Sequence, residues 1–184
     1  MVEIFTAPIA RTTRGEQRNA EREAVASLVN QRFGSSVTLA HTPDGAPYIP
    51  GFGGHISVSH CADECVLAVS SEPVGVDVDT PRPQLMRVAR RFLTLRELAD
   101  IDLHGEMTDD ARIDLLLRYW TAKEAVFKCA AIPSLVISEI EIGLRVENPL
   151  PLEAVASARG CSFAVSYTEL PGGSLRAVAT KRQL

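Results

Sequence analysis

The segment "LLLRYWTAKEAVFK", Leu115–Lys128, decides how this chain is read. It contains no proline or glycine. At helical periodicity Leu116, Tyr119, Trp120, Val126, Phe127 and Ala130 share one apolar stripe, which predicts a core-facing helix. Lys123 falls in the middle of that stripe, and Glu124 and Lys128 lie along its edge. Three readings of Lys123 stand. Its stem snorkels past the rings, its ammonium rests on an aromatic face, or this part of the helix faces an anion-filled cleft. Glu124 and Lys128, one turn apart, suit a surface ion pair contributing roughly a few tenths of a kcal/mol.

Working outward, the helix is expected to extend over "DDARIDLLLRYWTAKEAVFKCA", and residues 84–102 read as another helix. Before them, "PVGVDVDTPRP" is a strand ended by prolines, and "HISVSHCADECVLAVSS" reads as a hairpin of two short strands. Residues 15–33 have helical spacing with Ala24, Leu28 and Val29 inward, after a first strand and a loop at the N-terminus. The stretch "TPDGAPYIPGFGG" is a loop dense in turn residues. Downstream, "SEIEIGLRV" alternates as a strand and "CSFAVSYTELPGGSLRAVAT" reads as a second hairpin. The two hairpins resemble each other, and each follows a helix. This suggests a duplicated α+β unit, residues 1–80 and 81–184, joined in one compact body.

The totals narrow the function. The chain of 184 residues has a formal net charge of −4, which argues against a generic nucleic-acid binder. No apolar run is long enough for a membrane span, and "MVEIFTAPIARTTRG" lacks the basic start and apolar core of a signal peptide. Cys61, Cys65, Cys129 and Cys161 match no zinc or redox spacing well. "HCADEC" leaves a metal site open, but reduced, partly buried thiols of a cytoplasmic protein account for them better.

Chemistry concentrates in three places. On a strand, Asp77 and Asp79 point to one face and Val76 and Val78 to the other. Such a pair is either a solvated strand face or a set of oxygen ligands of the kind magnesium prefers. With Glu124, Lys123 and Lys128 it makes a set suited to a divalent metal and a phosphate chain. Ser59 and His60 end a strand before a turn, where they either contact a further phosphate or serve as ordinary strand-end residues.

In their order and separations, "SVSHC", "VGVDVD", "RRFLTLRELADI" and "WTAKEAVFK" resemble the signature of the 4'-phosphopantetheinyl transferases, in the surfactin- and enterobactin-type branch. The likeness is clear over residues 41–128 and loose at the C-terminal hairpin. It implies a pseudo-duplicated α+β fold, each half a small antiparallel sheet packed on a long helix. The implied reaction moves the phosphopantetheine arm of coenzyme A onto a serine of an apo acyl or peptidyl carrier protein, releasing 3',5'-ADP. By position, Asp77, Asp79 and Glu124 match magnesium ligands, with manganese as an alternative metal. Glu124 also matches the proton acceptor, and Lys123 and Lys128 the lysines on the pyrophosphate. Ser59 and His60 match the 3'-phosphate site, with Arg18 as the N-terminal arginine expected there and Arg22 close by. The "DGAPYIP" loop, with Ala46 and Pro47, matches the loop under the adenine. Three departures stand out. Asp79 replaces the usual glutamate, Ala46 stands where many members carry lysine, and the chain is short for the branch. The resemblance further implies a monomer. Arg82, Arg87, Arg90 and Arg91 either meet acidic carriers or form a solvated face. Two rivals remain: a non-catalytic coenzyme A or carrier-binding module, and a different magnesium enzyme that cleaves pyrophosphates.

Overall fold

A computed structural model describes residues 1–10, 13, 15–103, 107–144 and 149–182. Two antiparallel sheets pack face to face, each with a helix on its outer side. The first sheet has the order β1 (Val2–Pro8), β5 (Glu64–Ser70), β4 (His55–His60). Helix α1 (Gln17–Phe33) lies on it through Ala24, Leu28 and Val29, against Ile56, Cys65, Leu67 and Val69. The intervening residues of β5, Val66 and Ala68, point the other way, onto Val74, Val76 and Val78 of β6 (Val74–Asp79). Being covered on both faces, β5 carries the unbroken apolar run "CVLAV". Two short strands, β2 (Ala40–His41) and β3 (Pro47–Tyr48), pair across the turn-rich loop.

The second sheet runs β6, β10 (Leu175–Lys181), β9 (Cys161–Glu169), β8 (Glu153–Ala158), β7 (Glu141–Gly143). Sheet membership thus changes at residues 71–73. β6, which precedes the expected boundary at residue 80, hydrogen-bonds to β10 in the second sheet. Its alternate residues then separate two layers, with valines toward β5 and odd-numbered positions toward helix α4 (Asp109–Ala130).

Thr108 caps α4, its Oγ1 accepting from the Ala111 amide at 3.2 Å, with Asp109 and Asp110 in the first turn and Lys128 in the last. The expected single stripe is too narrow. Leu115, Leu117, Ala122 and Ala125 are buried as well, and Phe127 is exposed. The helix is wedged between the sheet and helices α2 (Gln84–Phe92) and α3 (Leu95–Leu103), so it is covered on most sides.

Residues 84–102, expected as one helix, form these two. Leu93 is extended, with φ −80° and ψ 145°. Thr94 and Glu97 then make a reciprocal cap: the Thr94 amide donates to Glu97 Oε2 at 2.7 Å, and the Glu97 amide to Thr94 Oγ1 at 3.2 Å. The strand expected over 138–146 begins as a turn of 3₁₀-helix at Ile137–Glu139 and continues as the short β7. Its end, residues 145–146, lies outside the described residues. β8, whose residues alternate exposed and buried, was not anticipated.

Gly75 sets the depth of α4 on the sheet. A Cβ there would lie 1.9 Å from the Ala125 carbonyl oxygen and 2.6 Å from the Cys129 amide nitrogen, both backbone atoms that cannot rotate aside. Gly75→Ala is therefore expected to destabilise the protein by about 3 kcal/mol. A chemical-denaturation midpoint equal to wild type would mean that α4 moves outward freely.

Candidate functional site

Because α4 rides so close to β6, the acidic strand and the basic helix end meet. Asp77 is buried, and its Oδ1 accepts from Lys128 Nζ at 2.8 Å and from Ser59 Oγ at 2.8 Å. Lys128 Nζ also donates to the Val76 carbonyl at 3.0 Å. Burial raises the Asp77 pKa, and Asp79 adds to this, while Lys128 and Ser59 pull it down. The Glu124 pKa is raised too, first by burial and then by Asp77 and Asp79, with Lys128 opposing. The helix and strand thus bring Asp77, Glu124 and Lys128 together, in a group carrying more negative than positive charge.

The Asp79 carboxylate, near enough to oppose both charges, is engaged by its own turn. Its Oδ1 accepts from Arg82 Nη1 and from the Thr80 amide, the latter at 2.8 Å. Among the described residues no three His, Cys, Asp or Glu side chains are gathered as a metal-ligand set. The expected trio of Asp77, Asp79 and Glu124 is therefore not assembled as one. The reason is local, since the Pro81–Pro83 turn brings Arg82 back onto Asp79. That ion pair also removes Arg82 from the basic run, leaving Arg87, Arg90 and Arg91 exposed on and around α2.

Lys123 does not face a cleft. It is fully buried, 0% exposed, with Nζ 2.8 Å from Glu97 Oε2 and bonded to the Ile140 carbonyl. Glu97, itself 1% exposed, also accepts from the Ile142 amide at 2.8 Å through Oε1. Burial lowers the Lys123 pKa and Glu97 pushes it back up. The lysine belongs to a core ion pair joining α3, α4 and β7, so its expected pyrophosphate contact is corrected. Glu97 was not singled out from the sequence, although "TLRE" carries the Thr-x-x-Glu pattern of a helix cap.

On the far side of β4 a cavity of about 750 Å³ opens between α1, the turn-rich loop and the strand end. Arg18, Arg22, Pro47 and His60 line it, with Glu21, whose Oε1 is 3.9 Å from His60 Nδ1. Ala46 does not line it. Its amide donates to Thr42 Oγ1 at 2.9 Å and its carbonyl accepts from the Thr42 amide at 2.9 Å, bracing the turn that presents Pro47. Ser59, expected here, points the opposite way, because neighbours on a strand face opposite sides. Its hydroxyl is spent on Asp77 and the Val78 amide.

The cysteines share no site. Cys65 packs under α1, whereas Cys61 packs on the opposite face of the first sheet. Burial lifts the Cys65 and Cys129 thiols to about 11, keeping them protonated and poorly reactive. A thiol reagent on the native protein is expected to label Cys61 and Cys161 and spare the other two. Rapid modification of all four would contradict this burial.

Residues 73–160 match the family model of the 4'-phosphopantetheinyl transferase superfamily. A 4'-phosphopantetheinyl transferase of Bacillus subtilis is 29% identical over 111 residues, 59% of this chain and 48% of the relative. The 4'-phosphopantetheinyl transferase Sfp of Bacillus subtilis strain 168 is 24% identical over 153 residues, 80% of this chain and 66% of the relative. The 4'-phosphopantetheinyl transferase HetI of a Nostoc species is 31% identical over 100 residues, 53% of this chain and 41% of the relative. The chain thus spans between about two fifths and two thirds of the length of these relatives.

Proposed function

We propose, for a chain that belongs to the 4'-phosphopantetheinyl transferase superfamily, that it moves the 4'-phosphopantetheine arm of coenzyme A onto a serine of an apo acyl or peptidyl carrier protein. The other product is 3',5'-ADP. The observation that carries this reading lies inside the matched segment 73–160, where Asp77 and Lys128 are in contact and Glu124 shares their field.

A divalent cation, magnesium or manganese, fits Asp77 and Glu124. Both are hard oxygen donors in partly buried surroundings, and their mutual repulsion is only partly offset by Lys128. Asp79, engaged by Arg82, suits an outer position reached through water. When bound, such a cation supplies charge neutralisation at the pyrophosphate. Lys128 offsets charge on the leaving 3',5'-ADP, and the Glu124 carboxylate takes the proton of the attacking serine hydroxyl. A raised pKa makes Glu124 a stronger base than an ordinary glutamate. Arg18, Arg22 and His60 would hold the 3'-phosphate of coenzyme A, and Pro47 would rest against the adenine. Arg87, Arg90 and Arg91 offer an acidic carrier its docking charge.

The proposal extends to architecture. The β4–β5 hairpin under α1 and the β9–β10 hairpin under α4 support two related halves within a single monomer. No helix among the described residues is long and apolar enough to cross a membrane; the cytoplasmic setting is proposed from the reaction, whose co-substrate is coenzyme A.

The test is direct. Protein, magnesium, coenzyme A and a panel of apo carrier proteins are incubated, and intact carrier masses are recorded. A gain of the phosphopantetheine arm is expected. The burial of Lys123 against Glu97 and the pairing of Asp79 with Arg82 favour a second reading, a coenzyme A or carrier-binding module. That reading wins if coenzyme A binds and no carrier is modified.

A further inference from the structure

β6 is an edge strand of its sheet, and β4 is an edge strand of the other. The two lie side by side without a ladder between them, which would leave the outward amides of β6 without partners. Serine side chains fill that role. Ser57 Oγ accepts from the Val76 amide at 3.0 Å, and Ser59 Oγ accepts from the Val78 amide at 3.2 Å. Lys128 takes the Val76 carbonyl between them. The two serines are buried, and they differ in one respect. The Ser59 hydroxyl also donates to Asp77 Oδ1 at 2.8 Å, whereas the bond recorded for the Ser57 side chain goes to backbone.

We propose that Ser59 is a positioning residue for Asp77. Its oxygen is pinned by the Val78 amide, which fixes where its proton points, and that proton holds the Asp77 carboxylate toward Lys128 and Glu124. The next residue, His60, lines the cavity on the opposite side of β4. The strand that forms the cavity wall therefore also sets the carboxylate. A support of this kind to a metal-binding carboxylate is worth about tenfold or more in metal affinity. The inference rests on the reading of Asp77 and Glu124 as a divalent-cation site.

Ser57→Ala and Ser59→Ala separate positioning from stitching, because each loses one backbone bond and only the second frees Asp77. Manganese binding, followed by electron paramagnetic resonance, is expected to weaken about tenfold in Ser59→Ala and to stay at the wild-type value in Ser57→Ala. In the transfer assay Ser59→Ala is expected to lose kcat with KM for coenzyme A unchanged. A raised KM with unchanged manganese affinity would instead return Ser59 to the 3'-phosphate site and overturn the proposal. Equal manganese binding by wild type and both variants, or binding by none of them, overturns it too. If wild type transfers nothing while Ser59→Ala alone loses manganese, positioning stands and the transferase reading falls. Ser59→Cys, close in volume and a weak donor, serves the same comparison should the alanine variant fail to fold.

Discussion

Glu124→Gln is expected to lower carrier modification by about a thousandfold while leaving the fold intact. The substitution preserves shape and removes both the charge that would help hold a cation and the oxygen that would accept the serine proton. Its effect on stability should run opposite to its effect on activity. Glu124 titrates above its ordinary range because it is partly buried and because Asp77 and Asp79 oppose its charge. A carboxyl with a raised folded pKa is protonated more readily folded than unfolded, so its ionisation destabilises the folded protein above that pKa. In the presence of chelator at pH 7, Glu124→Gln should therefore melt no earlier than wild type. The difference should shrink as pH falls through the folded pKa and vanish below the unfolded glutamate value of about 4.3, where both states are protonated. Thermal melts across pH together with intact-mass assays check both halves. Unchanged transfer by the variant would remove Glu124 from the chemistry.

The second large effect is one of stability. Lys123→Met is expected to cost about 4 kcal/mol, because it leaves the Glu97 carboxylate buried without its cation. Glu97 would keep the Thr94 and Ile142 amides but lose the ammonium 2.8 Å away. Adding Glu97→Gln should recover part of the loss, since a neutral amide needs no counter-charge. Urea unfolding of both variants measures this. At temperatures where Lys123→Met remains folded, its KM for coenzyme A should stay within about twofold of wild type, because a contact in the core carries no substrate binding. A stable variant with a KM raised tenfold would place the lysine on the pyrophosphate after all.

Much of the architecture was legible from pattern. The periodicity of residues 15–33 put Ala24, Leu28 and Val29 inside, where they lie. Both hairpins form where two short strand segments flank a turn. The break at Leu93–Thr94 was missed because apolar spacing runs through it, although the Thr-x-x-Glu cap marks it. β6 could not be assigned to a sheet from sequence, because both hairpins offer an edge of suitable pattern. The glycine of "GVDVD" reads as an ordinary strand residue, yet its role is to admit the backbone of α4.

The candidate site divides in the same way. Residue types, order and spacing pick out Asp77, Glu124 and Lys128, because a strand alternation and a helical turn constrain which neighbours share a face. Those periods say nothing about what stands opposite. Whether Lys123 meets an anion from solvent or Glu97 from α3, whether Ser59 turns to the cavity or to Asp77, and whether Asp79 is open or held by Arg82 are decided by distant or looped segments. A lysine in an apolar stripe requires somewhere to place its charge: water, an aromatic face or a negative partner. The sequence by itself determined that requirement, and only the packing of three separate elements supplied the partner.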